Sequence, residues 1–388
     1  MRASLRLMLC SAAAAVLLTN GSVFGAAAQT SETSRFEPRD ETERGLWQQM
    51  DEYERELKNS EFVMSDAALN SYVRGVLCKA VGTERCGATR IYIVRTPYYN
   101  AMMAPNGMMI VWSGLLLRTR NEAELATVLG HEFAHFEKRH SVQMYRNVKS
   151  KTDAMTWIGA LPGGFLAQMS LMGSVMSFNR DMERQADLVA LDDLARNGYD
   201  PIAASEIWEQ LRAEMDSTAE GRRMRKAMDS MGDYFSSHPN SKERMEYLRA
   251  AATGKRSSGQ TLGTDSYRRA MAPWWPQLID DQIKLNQFGA TEFLLASMAR
   301  GSWTADLLYA RAELYRARAK EGDFAKAIGF YRQAIALDPG LAESWRGLGV
   351  ALLRSGSKED GKKALKQYLA KRPTAEDHGI IAMMAGGQ

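Results

Sequence analysis

The chain has 388 residues, 45% of them hydrophobic and 25% charged, which is the balance of a soluble globular protein with room for one to three domains. The formal charge of +4 falls to about +2 without Arg2 and Arg6, and no basic stripe is interleaved with aromatic residues. Nothing here argues for nucleic acid, and none is expected as a partner.

The first residues read as an address. Arg2 and Arg6 form a basic start, residues 7–18 are apolar, and Ala26-Ala27-Ala28 before Gln29 fits a small-residue cleavage site. Residues 1–28 are therefore expected to be a signal peptide and the rest to be secreted. Cys10 follows Leu9, which is not small, and the apolar run continues past it, so lipidation is not expected. Cys78 and Cys86 then lie eight apart in an oxidising compartment, where a disulfide closing a short loop is expected.

Leu46, Met50, Tyr53 and Leu57 recur at helical spacing, which predicts an amphipathic helix over 41–58. A second helix is expected over 66–82, capped by Ser65 or Asp66. Residues 89–94 alternate with β-branched side chains and read as a strand. Asn106-Gly107 between apolar runs predicts a hairpin. An extended peptide can be added to a strand edge, where main-chain hydrogen bonds tolerate many side chains. The strand holding Met108, Ile110 and Trp112 is expected to offer that edge, unless it is simply a core strand.

His131-Glu132-Phe133-Ala134-His135 is an HExxH pentapeptide. Asn121 and Glu124 make a capping-box-like start, and Leu125, Val128 and Leu129 give an apolar face leading into it. Residues four apart on a helix share one face, so both imidazoles can reach one zinc ion while Glu132, beside them, takes a proton from water. The third ligand must come from elsewhere. Glu183 and Asp187 are also four apart, so one can bind metal while the other orients a ligand imidazole. His140 lies five beyond His135, off that face of a continuing helix, and is expected near the ligands or on the surface.

Residues 154–178 contain no charge, but Pro162-Gly163-Gly164 divides them into halves too short to span a membrane. A helical hairpin or flap over the active site is expected, with peripheral membrane contact as the alternative. Residues 254–270, rich in Gly, Ser and Thr, read as a linker. Pro339 and Pro373 lie 34 residues apart, and Trp345, Leu348 and Gly349 stand at W-x2-LG positions. The preceding unit places Leu314, Ala327, Tyr331 and Ala334 at matching offsets. This resembles tetratricopeptide repeats, and the pair of helices over 276–300 is a degenerate earlier unit.

HEFAH, then Asn179 to Asp187 (NRDMERQAD), then Ser237-His238-Pro239 with Arg244 shortly after, resembles the HExxH peptidase family of HtpX, the CAAX prenyl protease and the periplasmic BepA-type metalloproteases. The run from Asn100 to Gly107 and Gly114-Leu115-Leu116 is similar to the segment preceding the zinc helix there. The likeness covers residues 40–250. It implies His131, His135 and Glu183 as ligands of one Zn2+ per chain, Glu132 as general base and Asp187 behind a ligand. His238 would be an inhibitory fourth ligand or a stabiliser of the transition state.

The expected fold is α+β and mainly helical. A zincin-like metalloprotease domain with a small sheet (29–253) is followed by an all-α repeat domain (271–388). The expected function is a periplasmic zinc endopeptidase whose substrates are proteins or peptides, with envelope proteins recruited through the repeats. A chaperone or assembly adaptor for outer-membrane proteins, with gated proteolysis, is the second reading.

Overall fold

A computed structural model describes residues 36–149, 178–221 and 241–386. The chain is predominantly helical around one small sheet, followed by helical repeats. Helix α1, Glu41–Lys58, is capped by Asp40, whose carboxylate accepts from Glu43 N–H, and buries Leu46, Met50 and Leu57. Helix α2, Ala67–Val81, takes Asp66 as its cap. The short helix α3, Thr83–Cys86, follows, and Cys86 is joined to Cys78 as a disulfide.

The sheet comprises β1 (Arg90–Val94), β2 (Ala101–Met103) and β3 (Met108–Trp112), in the order β1-β3-β2. β1 runs parallel to β3, pairing Tyr92 with Ile110, and β2 runs antiparallel to it, pairing Met102 with Ile110. The hairpin expected at Asn106-Gly107 is there. Gly107 holds φ +88°, and a Cβ on it would sit 2.4 Å from the Ala88 carbonyl, so only glycine fits. Asn106 Oδ1 accepts Met108 N–H at 3.1 Å and locks the turn.

The substrate role expected for β3 is overturned. Met108, Ile110 and Trp112 are buried on the central strand, with both ladder edges already paired. The Asn106-Gly107 signal marked a hairpin strand but could not tell which further neighbour it would acquire. The free edge beside the main helix belongs to β2, which lies against the HExxH helix. In the antiparallel alternation Ala101 and Met103 turn their N–H and C=O away from β3.

After α4, Ser113–Arg118, the helix α5, Glu122–Glu137, carries the HExxH sequence. Asn121 caps it by accepting Glu124 N–H at 2.9 Å. The expected single apolar face becomes a helix buried all round, from Ala123 to Phe136. α6, His140–Lys149, follows a sharp break. Then come α7 (Arg180–Arg196), α8 (Ala203–Gly221) and α9 (Ser241–Thr253). Gly130 on α5 faces Ala190 and Leu194 on α7, where a Cβ would meet Ala190 Cβ at 3.6 Å. Small residues at this crossing let the two helices approach closely.

Residues 254–270, expected as a linker, are packed against the body. Thr261 bridges to Tyr199, Leu262 C=O accepts from Ala123 N–H, and Gln260 donates to Ala195 C=O. The segment then enters α10, Thr264–Met271, which buries Tyr267 and Met271. Tyr267 O–H donates to Leu116 C=O at 2.6 Å. Its Gly residues, at positive φ in Gly259 and Gly263, turn the chain along the surface of the body rather than loosening it.

The helices α11 (Trp275–Lys284) and α12 (Phe288–Ala299) form the degenerate pair, and Leu278, Ile279, Leu294 and Leu295 join the core shared with α5 and α8. α13 (Ala305–Arg318) pairs with α14 (Asp323–Leu337), and α15 (Ala342–Arg354) with α16 (Lys358–Lys371), before α17 (His378–Met384). Gly347 and Gly349 sit where a Cβ would collide with the Tyr331 ring and with Leu365, so the W-x2-LG signature reflects helix contact. Among the described residues no helix is long and apolar enough to cross a membrane. The proposed flap lies outside the described residues, apart from Phe178.

A buried polar knot joins the halves. Arg118 on α4 reaches Glu214 on α8 at 2.7 Å and Gln282 on α11 at 2.9 Å. Removing the guanidinium strands a buried carboxylate, so Arg118→Ala is expected to cost about 3–5 kcal/mol. Urea unfolding of the variant measures this. A change under about 1 kcal/mol, the range of a surface pair, would show that the knot is not a structural tie.

Candidate metal centre

His131 and His135 project from successive turns of α5, and Glu183 reaches them from the first turn of α7. The Nε2 atoms of the two histidines are 3.0 Å apart. Glu183 Oε2 lies 3.6 Å from His131 Nε2, and Oε1 lies 3.4 Å from His135 Nε2. Ligands at about 2.0–2.2 Å from a tetrahedral ion stand about 3.3–3.5 Å from one another, so this triangle has the size of a zinc site. Two imidazoles and one carboxylate are also a donor set suited to zinc. All three side chains are buried, and they are the one such group among the described residues able to hold a metal ion.

Behind the triangle, each imidazole has its own support. Asp187 Oδ1 is 2.9 Å from His131 Nδ1. One turn beyond Glu183 on α7, it accepts the ring N–H and leaves Nε2 turned to the metal position. On the other ring, His135 Nδ1 meets His140 Nδ1 at 3.1 Å, and Phe178 covers His135 at 3.9 Å between ring centroids. Glu132 is buried beside the first ligand. His238 lies outside the described residues.

Arg244, on α9, ties the acids together. Its Nε and Nη2 donate to Asp187 at 2.8 and 2.6 Å, and Nη1 reaches Glu183 Oε2 at 2.7 Å. Tyr247, one turn on, donates its O–H to Asp187, and the Trp208 ring lies 4.1 Å from the guanidinium carbon. Burial alone would push the Asp187 carboxyl up, but Arg244, and then His131, hold it well below the ordinary carboxylate range. Burial, with Asp187 next, raises the Tyr247 hydroxyl far above its usual value, so it remains a donor. Burial lowers His140 from its ordinary value.

The sequence pointed to His131, His135 and Glu183, and to Glu132 and Asp187 beside them. It assigned no role to Arg244, Tyr247 or Trp208. The signal for Arg244 was electrostatic: two acids beside a buried site need a buried cation, and Arg244 and Tyr247 are three apart on one helix face.

Fold and site together define the class: an HExxH metallopeptidase domain joined to helical repeats. Residues 64–252 match peptidase family M48 and residues 318–383 match a tetratricopeptide repeat. The chain thus carries a peptidase M48 domain followed by tetratricopeptide repeats. It is 32% identical to the mitochondrial metalloendopeptidase OMA1 of Arabidopsis thaliana over 162 residues, 42% of this chain and 31% of that protein. The Schizosaccharomyces pombe protein of the same name is 31% identical over 217 residues, 53% of this chain and 58% of its own. The beta-barrel assembly-enhancing protease of Escherichia coli is 27% identical over 177 residues, 42% of this chain and 36% of that one. The chain thus spans from about a third to under three fifths of the length of these curated relatives.

The depressed Asp187 has a pH signature. Its ionised form stabilises the fold above its ordinary value of 3.8, and that contribution is lost as pH falls towards the lowered native value. In metal-free protein, the stability advantage of wild type over Asp187→Asn in urea titrations is expected to be full above about pH 5 and to shrink below about pH 4. A gap that stays constant through this window would contradict the ion pair.

Proposed function

We propose that this chain is a secreted zinc endopeptidase of the periplasm that cuts polypeptides of the cell envelope, while its repeats recruit a substrate or partner protein. The triangle of His131, His135 and Glu183 is the observation that carries the reading, because its edges suit one tetrahedral ion. The leader-like start of the chain and the likeness to a protein named for β-barrel assembly support the compartment.

Zinc, when bound, supplies Lewis acidity to the scissile carbonyl and to water. Glu132 accepts the proton of the attacking water and passes it to the leaving amine. An extended substrate is positioned along β2, where the outward N–H and C=O groups of Ala101 and Met103 grip main chain without selecting side chains. Asp187 holds the His131 ring in place, and Arg244 pairs with both acids in a buried setting.

The test is Glu132→Gln, assayed on casein and on an unfolded outer-membrane protein. The variant is expected to keep its zinc and its melting temperature but to lose at least about 10²-fold in kcat. Undiminished cleavage would remove Glu132 from the chemistry.

A further inference from the structure

His140 stands five residues beyond a ligand, so a continuing helix would carry it off the metal face. The helix does not continue. α5 ends at Glu137, Arg139 adopts φ +57°, and α6 begins at His140 itself. Left-handed backbone is unfavourable for arginine, and here it is held by outside contacts. The Arg139 guanidinium pairs with the buried Glu43 of α1 and donates to Glu37 C=O at 2.8 Å. The turn swings His140 back onto His135, ring edge towards ring face with centroids 4.9 Å apart, and the residue is 1% exposed.

The hydrogen bonds of His140 run in one direction. Nε2 lies 2.8 Å from the Gln185 Oε1 amide oxygen on α7, and Nδ1 lies 3.1 Å from His135 Nδ1. An amide oxygen only accepts, so His140 Nε2 carries a hydrogen. A neutral ring then has a lone pair at Nδ1, and among the described residues the donor facing that lone pair is His135 Nδ1, at 3.1 Å. His135 is left with a bare Nε2, the atom that faces His131 and Glu183. Turning the Gln185 amide over would reverse each donor and place a hydrogen on His135 Nε2, where no metal could then bind.

We propose that Gln185 and His140 form a neutral relay that fixes His135 in its metal-binding tautomer, with His140 the positioning residue for this ligand. The inference rests on the reading of the triangle as a metal site. The two ligands are thus braced differently: His131 by a carboxylate, His135 by an uncharged ring. Arg244 already serves both Glu183 and Asp187. A carboxylate at position 140 would add another buried acid needing its own cation, whereas an imidazole orients His135 without charge.

The experiment is zinc competition against a chelator, with 15N spectra of the histidine side chains. Wild type is expected to bind zinc and, when metal-free, to show His135 with its hydrogen on Nδ1. His140→Phe keeps the bulk but removes the acceptor, and is expected to weaken zinc binding about 10–100-fold and lose that tautomer. His140→Asn, whose amide oxygen can stand near the Nδ1 position, is expected to restore both. Gln185 is exposed on α7, so Gln185→Lys tests the relay without disturbing the core; it offers His140 only donors and is expected to weaken zinc binding by about 10-fold. Zinc bound by His140→Phe and Gln185→Lys as tightly as by wild type would overturn the relay while leaving the metal site standing. A wild type that binds no zinc would overturn both.

Discussion

The guanidinium of Arg244 is the charge on which the centre depends. A carboxylate taken out of water costs several kcal/mol unless it is paired, and here Glu183 and Asp187 are buried one turn apart on α7. Arginine suits the task because its planar fork engages both oxygens of Asp187 and still reaches Glu183 with a third nitrogen. With both acids paired to Arg244, one can face a cation and the other can accept from His131.

The helices need the same care at a second point. Arg85, within the loop closed by Cys78 and Cys86, binds Glu137 on α5 and Asp193 on α7 at 2.6 and 2.8 Å. Together with the small contact of Gly130 against Ala190, this sets the spacing of the two helices that carry His131, His135 and Glu183. The repeat side is joined to the same frame. Arg95 on the loop after β1 forks onto Asp281 at 2.7 and 2.8 Å, beside the Arg118 knot, so α11 and α12 are walls of the peptidase body as much as the start of a repeat array.

Much of this was legible in the sequence where the information is local. The caps at Asp66 and Asn121, the Asn106-Gly107 turn and the HExxH spacing each act within one or two turns of chain, and the 34-residue interval of Pro339 and Pro373 is a simple repeat of such local signals. The candidate acid Glu183 was legible because it keeps helical spacing with Asp187 in a chain that carries the HExxH pair. What escaped depends on distant partners. β3 becomes central only by pairing with β1 across a loop, and the Gly-rich stretch after Thr253 is held by Tyr199 and Ala123 rather than by its own composition. His140 escaped because its position hangs on a left-handed arginine, with no glycine to announce the break. Arg244 escaped because a buried counter-ion has no periodicity to give it away.

The central claim is that one divalent ion sits between α5 and α7. Anomalous diffraction at the zinc edge, on crystals of protein purified without chelator, tests it most directly. The account predicts a single strong peak about 2.0–2.2 Å from His131 Nε2, His135 Nε2 and a Glu183 oxygen. Density showing the triangle filled only by Arg244 or water, with zinc absent or bound elsewhere, would contradict it.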